Sequence, residues 1–374
     1  MSTYDEHGAD RQSPLFSTVS GNHAPGRRKA EPNKTWFGRH RAIVAVLMLA
    51  TVLLASCGGW AVYLNNQFAN VDRFTLDLEE ETRPERATGE AAKAVNILLA
   101  GADAGPGPTI AEMVAADEWE PYSHRSDTIM VLHLTADRKH AYLISVPRDS
   151  YVDIDGIGKS KINAAFANGG PSLYLKTMED LTNLRMDHLA IIDWDGFKDL
   201  TTALGGVEVF IPETFQDTSQ GITWEKGKQD LEGKEALQYV RTRYGLANGD
   251  FDRIKRQQNF LRSTMGQLLS QGTMSNPLKL TNALKSITGN LTVDQDFTNG
   301  QIRDLALSLR GMSTEDVTFI TIPTECCPNI DGQSTVRVKM KKTRELFQAV
   351  AQDDLETYLE EHPADVLGDK RSVN

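Results

Sequence analysis

The sequence predicts an α/β protein: a single layered α-β-α domain with a mixed, partly antiparallel central sheet, after one N-terminal transmembrane helix. Three observations predict it. From Val95 onward, short apolar runs alternate with stretches of helical spacing. Two of the runs, TIMVLHLT and HAYLISV, are joined by ADRK, a hairpin-length link that makes part of the sheet antiparallel. Residues 42–64, AIVAVLMLATVLLASCGGWAVYL, carry no charge. At about 1.5 Å per residue they reach roughly 34 Å, enough to cross a hydrocarbon core of about 30 Å.

In chain order, residues 1–41 are polar without apolar periodicity and read as a disordered cytoplasmic tail. Arg27, Arg28, Lys29, Lys34, Arg39 and Arg41 precede the apolar run, and the acid-rich DRFTLDLEEETRPER follows it. That asymmetry predicts a single-pass protein of the cell membrane, its N-terminus cytoplasmic and the remainder extracytoplasmic. A cleaved signal peptide and a lipoprotein signal at LASC are the alternatives, and both also export the rest of the chain. Residues 65–93 read as a stalk, a linker or a short helical lead-in, 94–360 as the extracytoplasmic domain and 361–374 as a flexible tail.

Within the domain, VNILLAG, TIMVLHLT, HAYLISV, HLAIIDW, GGVEVFI and DVTFITI read as strands. GPSLYLKTMEDLTNL, WDGFKDLTTAL, NPLKLTNALKSI, NGQIRDLALSLRG and a final segment from about 342 to 359 read as helices. The strongest helix is GDFDRIKRQQNFLRSTMGQLLSQG, with Asp250 as N-cap and Ile254, Leu261, Met265 and Leu268 as its core stripe.

With 40 basic and 51 acidic residues, the chain has a formal net charge of −11, which argues against a general nucleic-acid binder. GIGKS, Gly156 to Ser160, has Asp153 where the first glycine of a phosphate loop belongs. No HExxH or GxSxG motif occurs. Cys57 lies in the apolar run. Cys326 and Cys327 are adjacent, which leaves a strained vicinal bridge and two unpaired thiols both open.

The charged residues that carry chemistry are scattered. If VNILLAG pairs antiparallel with TIMVLHLT, Asp103 lies near Arg125 and Asp127. The ADRK hairpin returns the next strand to the same edge, bringing Arg148 and Asp149. Taken singly, such Asp–Arg neighbours are usually surface ion pairs worth about 1 kcal/mol at most. Together, two carboxylates and converging arginines suit a divalent cation and a phosphate. In YVRTRYGLANGDFDRIKRQQ, Arg241 and Arg243 share one face if the segment is extended. Arg253 falls in the first turn of the next helix, where the macrodipole disfavours a cation unless an anion is shared. Gln257 follows on the same side, while Lys255 and Arg256 point elsewhere and solvate the helix. A clasped polyanion, most economically a pyrophosphate, accounts for this arrangement.

The blocks NILLAGAD, RSDTIMVLHL, ISVPRDSYVDI, KINAAFANGG, LGGVEV, LEGKEALQYVRTRY and GDFDRIKRQQ, spanning residues 96–258, resemble the LytR–CpsA–Psr family of bacterial cell-wall phosphotransferases. The resemblance implies transfer of a glycopolymer from a polyprenyl-pyrophosphate carrier to a peptidoglycan acceptor, with Mg2+ as cofactor and Mn2+ as the alternative ion. It implies that Asp103 and Asp127 hold the metal. Arg125, Arg148, Arg241, Arg243, Arg253 and Gln257 would bind the diphosphate, Arg148 acting in catalysis and Asp127 or Asp149 taking the acceptor's proton. It also implies an apolar tunnel for the prenyl chain, whose lining the sequence does not show. The long insertion GADAGPGPTIAEMVAADEWEPYSHRSD departs from the family pattern and leaves Asp117 or Glu118 as substitute metal ligands. A lipid-pyrophosphate binder or regulator, and a lipid pyrophosphatase, are the alternative functions.

Overall fold

Alternation along residues 95–103 sets the layering, because successive side chains of a strand leave on opposite faces. Leu98 and Ala100 join one core cluster, Ile97 and Leu99 another. The computed structural model describes residues 59, 62–63, 66–103, 107–242, 250–309, 311–330 and 332–368, without the side chains of Asp103, Asp250, Cys326 and Cys327. The apolar run expected to span the membrane lies almost wholly outside them. Among the described residues no helix is long and apolar enough to cross a membrane.

The strands are β1 (Asp72–Phe74), β2 (Val95–Asp103), β3 (Arg125–Leu134), β4 (Ala141–Ser145), β5 (Tyr151–Ile154), β6 (Gly158–Lys161), β7 (His188–Asp193), β8 (Val207–Ile211), β9 (Phe215–Asp217), β10 (Ile222–Trp224), β11 (Gly227–Leu231), β12 (Leu291–Asp294), β13 (Val317–Thr321), β14 (Thr324–Ile330) and β15 (Gln333–Val338). The helices are α1 (Ile110–Ala115), α2 (Asn163–Thr182), α3 (Trp194–Ala203), α4 (Gly233–Arg241), α5 (Asp250–Leu269), α6 (Gln271–Met274), α7 (Pro277–Thr288), α8 (Asn299–Leu309), α9 (Met340–Ala351) and α10 (Leu355–Glu361).

One seven-stranded sheet runs β1-β12-β7-β2-β3-β4-β13. It is mixed. β2–β3, β3–β4 and β12–β7 are antiparallel, whereas β2–β7, β4–β13 and β1–β12 are parallel. On one face, Ile129, Val131 and Ile144 pack with Phe166, Tyr174 and Met178 of α2 and with Phe347 of α9. On the other, Met130, Leu143 and Phe319 meet Leu261 and Met265 of α5. A third cluster joins β8 and β11 to Trp224, Tyr239 and Phe260, and forms a cap beside the sheet.

Four expectations change. Residues 66–93 are no free stalk: β1 pairs with β12, Phe68, Val71 and Phe74 are buried, and Arg83 donates to the buried carboxylate of Glu179 at 2.9 and 2.7 Å. GGVEVFI does not join the main sheet; β8 pairs with β11 in a separate hairpin. The final helix is split into α9 and α10, because Asp353 turns left-handed at φ 58° and its carboxylate receives His133 Nε2 at 3.0 Å and the Ala136 amide at 3.1 Å. The tail is not loose from residue 361: Val366 bridges Ile320, and the Leu367 amide donates to Phe319 O. GIGKS starts in the hairpin turn after β5 and runs on into β6, with Gly156 at φ 73° and Gly158 at φ 83°.

Because Arg83 neutralises a carboxylate that is 2% exposed, Arg83→Ala leaves an uncompensated buried charge. We expect a loss of about 3 kcal/mol in chemical denaturation. A change within experimental error would mean that the lead-in is not docked.

Candidate functional site

The cleft lies at one end of the central strands. A bulge between Gly101 and Ala102 shifts the register of β2 against β3 so that the Cα of Asp103 opposes that of Arg125, two residues from Asp127. β4 returns to the same edge and is followed by Arg148. The convergence expected from the hairpin is therefore present in the backbone. Arg125, Asp127 and Arg148 line a cleft of about 910 Å3 together with Arg241, Arg253 and Gln257. The side chain of Asp103 and all of Arg243 lie outside the described residues.

Among the described residues five cations line this cleft, the four arginines and Lys234, against one carboxylate, Asp127. In a chain of net charge −11, that concentration is opposite in sign to the whole. Three of the four guanidinium groups are held, each differently. Arg148 donates through Nη1 to Asp127 Oδ1. Arg241 stands over the Trp194 ring at 5.5 Å. Arg253 is 3% exposed, set in the first turn of α5, so its charge meets the positive end of the helix dipole. A bound anion favours both that helix end and the cations.

Other expected residues fall elsewhere. Asp149 does not line the cleft; it receives Lys161 Nζ at 3.2 Å, with Arg148 Nε 3.9 Å away. Asp117 and Glu118 line a separate hollow behind Trp119, so the insertion supplies no substitute carboxylate to the cleft. The segment carrying Arg241 is not extended: Arg241 is the last residue of α4. Lys255 is exposed as expected, but Arg256 is fully buried between Phe215 and Tyr239, at 4.5 and 5.1 Å from their rings. It donates to Thr242 O at 3.3 Å, and burial pushes it below the usual guanidinium value. Helical spacing alone does not show that β9 packs over this face of α5.

Sequence reasoning missed Trp194, Ser219, Gln220, Lys234 and Gln238, which also line the cleft. The β9–β10 turn carries two of them, held by the fully buried Asp217. Its carboxylate accepts from the Ser219 amide at 2.8 Å, Ser219 Oγ at 2.6 Å and Gln220 Nε2 at 2.8 Å, and Gln220 Nε2 also lies 3.0 Å from Gln238 O on α4.

Beneath the cleft lies an apolar cavity of about 240 Å3 between the sheet, α3 and α5. Leu99, Met130, Ile192, Phe197, Phe260 and Leu261 help to line it, and Trp194 and Gln257 line both spaces. Among the described residues no group of three or more histidine, cysteine or acidic side chains gathers to hold a metal ion. Among the described residues Asp127 is the carboxylate that lines the cleft.

Fold and site define an α/β protein with a cationic cleft at one end of its central strands, sharing Trp194 and Gln257 with an apolar cavity. The LytR_cpsA_psr family matches residues 62–352, and the chain belongs to that family. It is similar to the cell wall biosynthesis protein LcpA of Corynebacterium glutamicum, at 32% identity over 290 residues, 68% of this chain and 55% of that protein. It is also similar to the polyisoprenyl-teichoic acid–peptidoglycan teichoic acid transferase TagU of Enterococcus faecalis, at 32% identity over 269 residues, 72% of this chain and 81% of that one. The chain spans about half the length of the corynebacterial relatives it matches. The crystal structure of B. subtilis TagV shares the fold, with a TM-score of 0.57 and 22% identity, covering 70% of this chain and 97% of that one.

Burial works against the charge of Asp217, yet its hydrogen bonds from Ser219 and Gln220 outweigh this and hold its carboxyl below the usual value of 3.8. A depressed folded pKa contributes stability above the unfolded pKa, and that stability is lost as pH falls through the folded pKa. Asp217→Asn therefore lowers Tm at pH 7 and pH 5, and the gap from wild type narrows below about pH 4. A pH-independent gap would show that the carboxylate's charge is not what holds the turn.

Proposed function

We propose that the chain transfers a glycopolymer from a polyprenyl-pyrophosphate carrier to peptidoglycan. The observation that carries the reading is the meeting of Arg125, Arg148, Arg241 and Arg253 in one cleft that shares Trp194 and Gln257 with an apolar cavity. A lipid diphosphate has the same two-part character. The arginine forks match the phosphoryl oxygens bidentately, and the apolar cavity suits the proximal isoprene units. At about 240 Å3 it exceeds the ~150 Å3 cavity that admits a benzene ring. The name of TagU, a relative covered over most of its length, supports the same chemistry.

In the reaction, an acceptor hydroxyl oxygen of a muramic acid residue bonds to the sugar-side phosphorus. The bridging P–O bond breaks, and polyprenyl phosphate leaves with its electron pair. The hydroxyl proton passes to a carboxylate, and among the described residues Asp127 is the one that lines the cleft. The arginines offset charge on the phosphoryl oxygens, so catalysis is mainly positioning and electrostatics. Asp127, with Asp103 on the adjacent strand, would hold Mg2+, or Mn2+ in its place. Such an ion needs only one or two protein carboxylates beside phosphate and water, and it would neutralise diphosphate charge. The apolar run at 42–64 would anchor the chain in the membrane, with the cleft on the extracytoplasmic side, where carrier and acceptor meet.

The test combines the full-length chain in detergent, a polyprenyl-pyrophosphate oligosaccharide, Mg2+ and peptidoglycan. Glycan joined to peptidoglycan supports transfer. Free glycan phosphate would instead mean a hydrolase, and binding without product a regulator. Arg148→Ala and Arg241→Ala each lower kcat/KM by about 100-fold or more, the scale of losing one preorganised donor. Unchanged kinetics in both variants would rule out the cleft as the site.

A further inference from the structure

Tyr122 stands at the rim of the cationic cleft, 65% exposed, on the insertion that leads into β3. Single exposed aromatics are ordinary. This one is not, because its backbone sits at φ 67°, a left-handed conformation that bulky side chains rarely adopt. The strain persists because the surrounding chain fixes it. The Tyr122 amide donates to Ala167 O at 2.7 Å. Three residues earlier, Trp119 packs edge-on against Phe166 at 5.2 Å. It also covers Gly170, whose Cβ, had it one, would lie 3.0 Å from Trp119 Cδ2. Further back, α1 begins with a capping box of Thr109 and Glu112 and buries Ile110 and Met113 in the main core. The insertion is thus pinned along its described length, and the ring it presents beside the cleft is Tyr122. The neighbouring Ser123 hydroxyl is occupied by Glu120 O at 2.6 Å.

We propose that Tyr122 is a stacking platform for a pyranose ring and selects the sugar-bearing ligand next to the diphosphate. The proposal rests on the reading of the cleft as a lipid-diphosphate site. A pyranose presents a face of C–H groups, which suits the electron-rich face of a tyrosine ring, while its hydroxyls stay in water. A strained residue that is held exposed, rather than buried, fits a functional constraint better than a packing one. The ring shared between the two substrates is a sugar. The donor carries one beside its pyrophosphate and the acceptor is a saccharide.

The test measures binding to the full-length chain in detergent micelles with three probes: farnesyl diphosphate, a prenyl diphosphate bearing one N-acetylhexosamine, and a muramyl disaccharide. Asparagine holds a left-handed backbone more easily than tyrosine does, so Tyr122→Asn removes the ring without adding strain. We expect this variant to keep the wild-type Tm, to bind farnesyl diphosphate as the wild type does, and to bind the sugar-bearing diphosphate about five- to tenfold more weakly. Tyr122→Trp restores that affinity. A loss confined to the disaccharide overturns the assignment to the sugar beside the diphosphate. No loss with either sugar-bearing probe, or an equal loss with farnesyl diphosphate, overturns the proposal. Failure of the wild-type chain to bind farnesyl diphosphate would instead remove the reading of the cleft on which the proposal rests.

Discussion

Guanidinium groups brought together in one cleft repel, and the rest of the structure is arranged around that repulsion. Arg148 is tied to Asp127, Arg241 stands on Trp194, and Arg253 is buried in α5. Each uses a different anchor, so no one of them relies on its neighbours to stay in place. The scaffold behind them is stiff. Gln258, one position beyond Gln257, is 1% exposed and donates to Ser145 Oγ at 2.8 Å and Ile320 O at 2.9 Å, which locks α5 to β4 and β13. A site preorganised in this way loses little entropy when an anion enters and relieves the repulsion.

Arg256 has the opposite task from Arg253, although only three residues separate them. Its guanidinium is sandwiched by Phe215 and Tyr239 and reaches Thr242 O, at the end of the helix that carries Arg241. Thr242 Oγ1 also receives Trp224 Nε1 at 3.1 Å. The buried cation thereby fastens the cap of β8–β11 to both basic helices. A buried charge is retained only where such contacts compensate its lost hydration. The reward is a fixed orientation of the chain around Arg241.

The insertion and the lead-in show how segments that resemble linkers become part of the domain. Residues 66–94 carry a strand into the sheet and an arginine onto Glu179. The insertion carries Trp119 into the notch that Gly170 leaves open at the bend of α2. In both cases a few buried anchors hold polar stretches that show no hydrophobic period of their own. The same insertion brings Tyr122 to the cleft and turns Asp117 and Glu118 away from it.

The β2–β3–β4 meander was legible in the sequence, because alternation and a four-residue hairpin leave few other pairings, and with it the approach of Asp103 to Arg125 and Asp127 and of Arg148 to the same edge. The helix carrying Arg253 and Gln257 was legible too, since its stripe of Ile254, Leu261 and Met265 has a period that only a helix satisfies. The short strands β1 and β12 were not, being too brief to show a period. Nor was the fate of Arg256, Asp149 or Tyr122. Helical arithmetic states which residues share a face, but whether that face meets water, another helix or a hairpin depends on chain distant in the sequence, as Phe215 is from Arg256. Local spacing determined which groups this protein brings to its cleft. Long-range packing, which no local pattern encodes, decided which of them point into it.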